Sequence, residues 1–278
     1  MATPRELLAD LSRRLGGRLA PEPVTAPGWV GLDDMLDDDG CFPALARAAG
    51  ARFMSDDVAL VGAQLVREWV STIAEAAVTL WGRERRLFDW TAGNVAVRTD
   101  GSRTVGLRRL DLVDVPDPVD VPVPLDRVHE DEMVDVLLDR ALGRSLPSGV
   151  AAVVAAARRA FRSGDRHYWG TVALALANAL TAVSHEVGAR ADGDRAMLLR
   201  RRPDLARTVE VLTVDDGLGA GDTVSCARRL TCCLLVKLPG EVQCGTCNLR
   251  DRDECVASLA AWARAERASH RGATARAG

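Results

Sequence analysis

The sequence contains one lysine, Lys237, among its 36 lysine and arginine residues, and its 39 acidic residues leave a net charge of −3. No global positive field results, whereas a domain that grips nucleic acid by its phosphates normally carries one, so no nucleic-acid partner is expected. Nothing approaches the roughly 20 apolar residues of a membrane span, so no transmembrane segment is expected either. The most apolar run, Val172 to Val183, is interrupted by Asn178 and reads as a buried core helix. The opening MATPRELLADLSRRLGG is charged along its length and lacks the apolar stretch of a secretory signal, which makes the expected location cytoplasmic. No glycine-rich phosphate-binding fingerprint follows a strand; Gly217-Leu-Gly-Ala-Gly221 precedes cysteines instead of a phosphate-binding helix, so no flavin or nicotinamide site is expected. The histidines His129, His167, His185 and His270 are scattered without ligand spacing, against a Rieske-type pair or a zinc hydrolase site.

What the chain does have is length and apolar content: 278 residues at 47% hydrophobic are enough to bury a core without a metal or disulfide staple. Residues 1–50 read as broken helix around Pro21, Pro23 and Pro27, with an acidic run from Asp33 to Asp39 that suits a solvated helix end. Val58, Leu65, Trp69 and Ile73 recur at three- and four-residue steps after the cap signal Ser55-Asp56-Asp57, which predicts a long amphipathic helix to about Trp81. Alternating runs around Thr99-Asp100-Gly101-Ser102 predict a β-hairpin from about Asn94 to Val115. Four prolines in residues 116–124 make an extended connector and the expected boundary between an N-terminal α+β region, 1–120, and a helical region, 121–278. Within the latter, MVDVLLDRAL, VAAVVAAARRAF and YWGTVALALANAL each present an apolar face, which suits a helical bundle. The expected fold class is therefore helix-rich α+β: a small antiparallel sheet plus a helical bundle, with a C-terminal metal-binding segment at about 226–255. The tail beyond Ala268 is small and polar and is expected to be disordered.

The metal-binding expectation rests on cysteine. Seven cysteines without an export signal imply a reducing compartment, where clustered thiols point to a metal or redox site. Cys232-Cys233 and Cys244-Gly-Thr-Cys247 lie ten residues apart, and Pro239-Gly240 between them is a turn signal that folds one pair back towards the other. Gly245 lets the second pair turn sharply, and backbone amides there can hydrogen-bond to sulfur. Four thiolates suit zinc, but structural zinc sites space each pair by two to four residues, and adjacent cysteines reach two metals of a diiron cluster with less strain. A vicinal disulfide or four unrelated core thiols are blander alternatives. Cys41, Cys226 and Cys255 read as packing thiols.

The motif resembles that of the ferric-siderophore reductases, the FhuF-like 2Fe-2S iron reductases, whose signature is Cys-Cys-x10-Cys-x2-Cys. Arg228-Arg229, Thr231 and Lys237-Leu238-Pro239-Gly240 fit the surrounding pattern; the chain departs at Leu234 and Leu235, where tyrosines are common, and Leu230 separates the basic pair from Thr231. Arg166-His167-Tyr168-Trp169-Gly170 resembles the family's helix start. A fainter similarity links Trp90 to Val95 and Arg109-Leu110-Asp111 to the related domain of siderophore synthetases, without the histidine that nucleotide binding there would need. The resemblance implies an oxidoreductase in which Cys232, Cys233, Cys244 and Cys247 hold a 2Fe-2S cluster. It would pass one electron to a ferric siderophore, hydroxamate type, and receive it from a ferredoxin or flavoprotein. Arg228, Arg229, Lys237 and Arg250 surround the ligands in sequence and suit a partner, a chelate or the reduced cluster. The alternatives are an iron-sulfur carrier or sensor without its own substrate, and a zinc-stabilised binding protein.

Overall fold

The computed structural model describes residues 2–38, 40–114, 149–162, 164–215 and 223–277. Helix α1 (Pro4–Arg14) opens on a capping box, in which Thr3 Oγ1 accepts from the Glu6 amide and the Glu6 carboxylate accepts from the Thr3 amide. Strand β1 (Trp29–Gly31), helix α2 (Leu32–Asp37) and helix α3 (Cys41–Phe53) lead to the longest helix of the core, α4 (Val58–Glu84). Asp57 caps α4 by accepting from the amides of Ala59 and Leu60, both at 3.0 Å. Helix α4 exceeds the amphipathic expectation, because α3, α5 (Gly149–Phe161) and α6 (Arg166–Val187) cover it on several sides and bury polar Gln64 along with Trp69 and Ile73.

Three small antiparallel sheets flank these helices. Strand β3 (Val95–Arg98) pairs with β4 (Val105–Leu107) across the expected turn, with Val95 opposite Leu107, and β1 joins the other edge of β3. The expected single hairpin ends early: β5 (Leu112–Asp114) pairs instead with β2 (Arg86–Phe88). The cause is Asn94, fully buried, whose Oδ1 accepts from the Arg109 amide at 2.7 Å while its Nδ2 donates to the carbonyls of Asp89 and Arg109. That pin redirects the chain after Arg108. Strand β1, within a region read as broken helix, carries too few residues for a period-two signal.

Helices α7 (Arg190–Arg201) and α8 (Pro203–Ala206) lead into a hairpin that the sequence reading did not anticipate, β6 (Val209–Asp215) with β7 (Thr223–Arg229), Val209 opposite Arg229. Helix α9 (Arg252–Ala277) closes the structure and runs past Ala268, where a disordered tail was expected. It packs Leu259, Ala260 and Ala263 onto Leu212, Val214, Val224 and Cys226 of the hairpin. The proline-rich boundary at 116–124, His129, the 133–142 segment and Gly217–Gly221 lie outside the described residues. On both sides of that boundary side chains enter one hydrophobic core, which contains Leu8, Trp69 and Val105 together with Val150, Leu180 and Leu238. Asp10 and Glu186 tie α1, α4 and α6 together through Arg14 and Arg83, at 2.6–2.8 Å. Among the described residues no helix is long and apolar enough to cross a membrane.

Candidate metal centre

The four motif cysteines sit on the segment between β7 and α9, so their position follows from how that segment is anchored. At its start, Thr231 is buried against α6. A Cβ added to Gly170 would stand 1.9 Å from Thr231 Oγ1, so only glycine allows this approach at that point of the helix. In its middle, the Cys233 carbonyl accepts from the Nε2 of Gln64 on α4 at 2.9 Å, and Gln64 Oε1 in turn accepts from Arg67 Nε. At its end, the Cys255 thiol on α9 donates to the Cys247 carbonyl at 3.4 Å. Arg228 and Arg252 share Glu210, and Arg228 also donates to the Arg250 carbonyl, which clasps the hairpin to the start of α9.

Between these anchors the chain turns as the spacing predicts. Pro239-Gly240 forms a turn with Gly240 at φ 75°, and the Glu241 amide donates back to the Leu238 carbonyl. Cys244 and Cys247 are joined by a tight turn, Cys247 N to Cys244 O at 3.0 Å. Gly245 stands outside the left-handed region; its function is proximity, since a Cβ there would meet Ser258 Cβ of α9 at 3.2 Å. All four thiols are free of disulfide bonding, Cys233 and Cys247 buried, Cys232 and Cys244 half-buried.

Backbone amides are directed at the sulfurs. Leu234 adopts the left-handed conformation, φ 63°, a costly choice for a leucine, and its amide donates to Cys232 Sγ at 3.4 Å. The Leu235 backbone similarly serves Cys233, and the Thr246 backbone and hydroxyl serve Cys244. Successive amides facing one way form an anion-binding concavity. The sequence placed such amides at Gly245; most of them lie instead after Cys233, where nothing in the residue types signals a left-handed leucine.

Charge reinforces this arrangement. Interaction with the neighbouring Cys244 thiol, together with the Leu235 amide and the charges of Arg229 and Arg67, holds the Cys233 thiol down at about 5 against the effect of burial. Its half-buried neighbour Cys244 is pushed upward by Cys233 and by loss of solvent. Arg229 is 3% exposed, donates to the His167 carbonyl at 2.8 Å, and feels Cys232, Cys233 and Cys244 electrostatically. It is thus an internal counter-cation and not a docking residue. Arg228 is occupied by Glu210, Arg250 contacts Glu254 and Ser258, and Lys237 is exposed, so a surface role falls to Lys237 and, in part, to Arg250. Gln64 and Arg67 went unnoticed in the sequence because each lies far from the cysteine motif along the chain, and His167, read there only as a scattered histidine and part of a helix start, enters the site through its carbonyl, which accepts from Arg229.

Leu230, Val236, Val242 and Leu249 are exposed along the same segment. Thiols, amide donors and a buried cation suit a thiophilic, electron-rich centre in chemistry, and of the four motif cysteines Cys232, Cys233 and Cys244 share the field of Arg229, while among the described residues no contact joins the Cys247 sulfur to them. Cys233 and Cys244 are in mutual contact, but among the described residues no group of three or more His, Cys, Asp or Glu side chains is drawn up as a set that could hold a metal ion. Cys226 is separate from this site: it is fully buried on β7, within the cluster that α9 covers, and burial pushes its thiol up to about 11. No family model matches this chain, and no curated protein matches it in sequence.

Proposed function

We propose that the protein is a ferric-siderophore reductase, an oxidoreductase whose Cys232, Cys233, Cys244 and Cys247 hold a 2Fe-2S cluster. The observation that carries this reading is the pairing of Cys233 with Cys244 in the field of the buried Arg229, with the Leu234 amide donating to Cys232 Sγ. Such a cluster, when bound, supplies one electron at a time. Hard ferric ion is held by oxygen ligands of the hydroxamate type, and ferrous ion binds the same ligands far less tightly. With a cluster held by these cysteines, one electron from a reduced ferredoxin or flavoprotein would pass to the ferric chelate, yielding ferrous ion and free chelator.

The chain's own residues set the conditions for that step. Arg229 and the amides of Leu234, Leu235 and Thr246 stabilise negative charge on the sulfurs without water, which favours the reduced form. The exposed fringe of Leu230, Val236 and Val242 gives a partner an apolar surface to cover beside the site, and Lys237 within it complements an acidic donor. Anaerobic reconstitution followed by ferric chelate and a ferrous trap tests the reading. Trapped ferrous ion in step with loss of the reduced visible spectrum is the expected result. A protein that takes up zinc alone, or reoxidises without ferrous product, refutes it.

A further inference from the structure

Two recesses border the thiol segment, and they differ in charge. The larger comprises adjoining hollows of about 440 and 300 Å³ that share Asn178 and Trp262. Its arginines are already paired, Arg18 with Glu75 and Arg14 with Glu186, and it meets the thiol segment only at Gly245 and Thr246. The other, of about 350 Å³, is bordered by Arg166, His167, Leu230, Thr231, Asn248 and one of the thiols itself, Cys232.

This second recess is positive. Arg166 stands exposed on its border, and none of the described carboxylates pairs with it. Behind the border, the buried Arg229 guanidinium donates to the His167 carbonyl at 2.8 Å and to Thr231 Oγ1 at 3.4 Å, both on residues that border the recess. The acid next to Arg166 in the chain, Asp165, is held by Arg158 at 3.2 Å, and exposed Arg162 adds a further cation two residues before Gly164. Among the described residues no carboxylate borders the recess. A concave surface of this size suits a small ligand, whereas a protein partner covers exposed surface such as that around Lys237. Thiolates are themselves negative, so an anionic ligand comes close to Cys232 only where cations offset them. Arg229 does so from inside the protein and Arg166 from the solvent side.

We infer that this recess takes the negative edge of an anionic ferric chelate, a hydroxamate that keeps a free carboxylate outside the metal's own ligand set, with that carboxylate on Arg166 and the chelate beside Cys232. A guanidinium presents a planar fork that matches a carboxylate, which a bare point charge does not. The inference rests on the reductase reading above and adds the substrate class: anionic chelates in preference to neutral ones with the same metal ligands.

Gallium(III) separates binding from electron transfer, because gallium is not reduced. Two gallium trihydroxamates are compared, alike except that one carries a free carboxylate and the other has it blocked as an amide. Their affinities for the full-length, reconstituted protein are measured by equilibrium dialysis. The parent should prefer the free carboxylate about fivefold, the upper end for one exposed ion pair. Arg166→Gln should abolish the preference, Arg166→Lys should keep part of it, and Trp262→Leu, in the larger hollow, should keep all of it. Raising the ionic strength from about 0.01 to about 1 M shortens the screening length from ~30 to ~3 Å and should erase most of it. Equal affinity of the parent for the two chelates overturns the assignment, as does a preference that survives Arg166→Gln, one that is indifferent to salt, or no binding by the parent. If the gallium pattern holds but the ferric chelate yields no ferrous ion, the reductase reading falls and the site stands. If the ferric carboxylate chelate is reduced with the same KM by the parent and by Arg166→Gln, the site falls and the reading stands.

Discussion

Replacing Gly170 by alanine is a one-carbon test of how the thiol segment is held. The added Cβ would lie 1.9 Å from Thr231 Oγ1, 3.1 Å from Thr231 Cβ and 3.3 Å from Cγ2, and Thr231 immediately precedes Cys232. Neither side yields easily, since Thr231 is 6% exposed and Gly170 lies within the first two turns of a 22-residue helix. Overpacking of this kind costs about 1–3 kcal/mol. Alanine in place of a helix-interior glycine returns about 1 kcal/mol, so the net loss should be about 1 kcal/mol. In a domain of 150–250 residues that is about 2–4 °C of melting temperature. The discriminating measurement is a double-mutant cycle. Thr231→Ala removes the Oγ1 and Cγ2 that collide and should restore Gly170→Ala, whereas Thr231→Ser retains the hydroxyl and should not. Iron and sulfide content after anaerobic reconstitution should follow the same order, because the wedge displaces Cys232. A Gly170→Ala protein that melts at or above the parent temperature and loads normally refutes the reasoning.

Serine at Cys232, Cys233, Cys244 or Cys247 should abolish or strongly alter the visible spectrum of the reconstituted protein, while serine at Cys41 or alanine at Cys226 should leave it intact. Gln64→Leu leaves the buried Cys233 carbonyl without its donor and should cost about 1–3 kcal/mol in urea unfolding, more than an exposed substitution such as Arg47→Leu. Burial works to raise Asp10 and Glu186, but Arg14 and Arg83 outweigh it and hold both carboxyls below their ordinary values. Their contribution is complete above the unfolded carboxylate range and is lost as pH falls through the lower folded values. Asp10→Asn with Glu186→Gln should accordingly flatten the stability profile below about pH 5, and an unchanged slope there refutes the linkage. An acidic electron donor should cross-link by carbodiimide through Lys237, the one lysine, and Lys237→Gln should remove the adduct.

Much of this molecule could be read before its structure. The cap Asp57 and the recurrence from Val58 onward located α4, and Pro239-Gly240 located the turn that returns Cys244 towards Cys233. The hairpin β6–β7 escaped because the exposed Val211 and the adjacent buried pair Cys226 and Ala227, followed by buried Arg229, break its period of two, while its register depends on packing against α6 and α9. The division of the Asn94–Val115 segment between two sheets escaped because it depends on one buried asparagine side chain. Of the candidate site, the thiols were plain in the spacing, whereas Gln64, His167 and the left-handed Leu234 gain meaning only when distant helices are brought beneath them. Arg229 illustrates the limit best: sequence ranks it equal to Arg228, and only burial shows that it serves the thiols from within.

The thiol segment is fastened by Thr231 on α6, by Gln64 on α4 and by Cys255 on α9, and none of these contacts involves a metal. Small metal-dependent domains unfold when stripped, because ligation supplies their folding energy. Here the hydrophobic core from Leu8 to Leu238 is complete without the motif sulfurs. On the reductase reading, oxidative loss of the cluster would then be a repairable injury: a chain held by its own core keeps its shape, escapes the proteolysis that follows unfolding, and can be charged again.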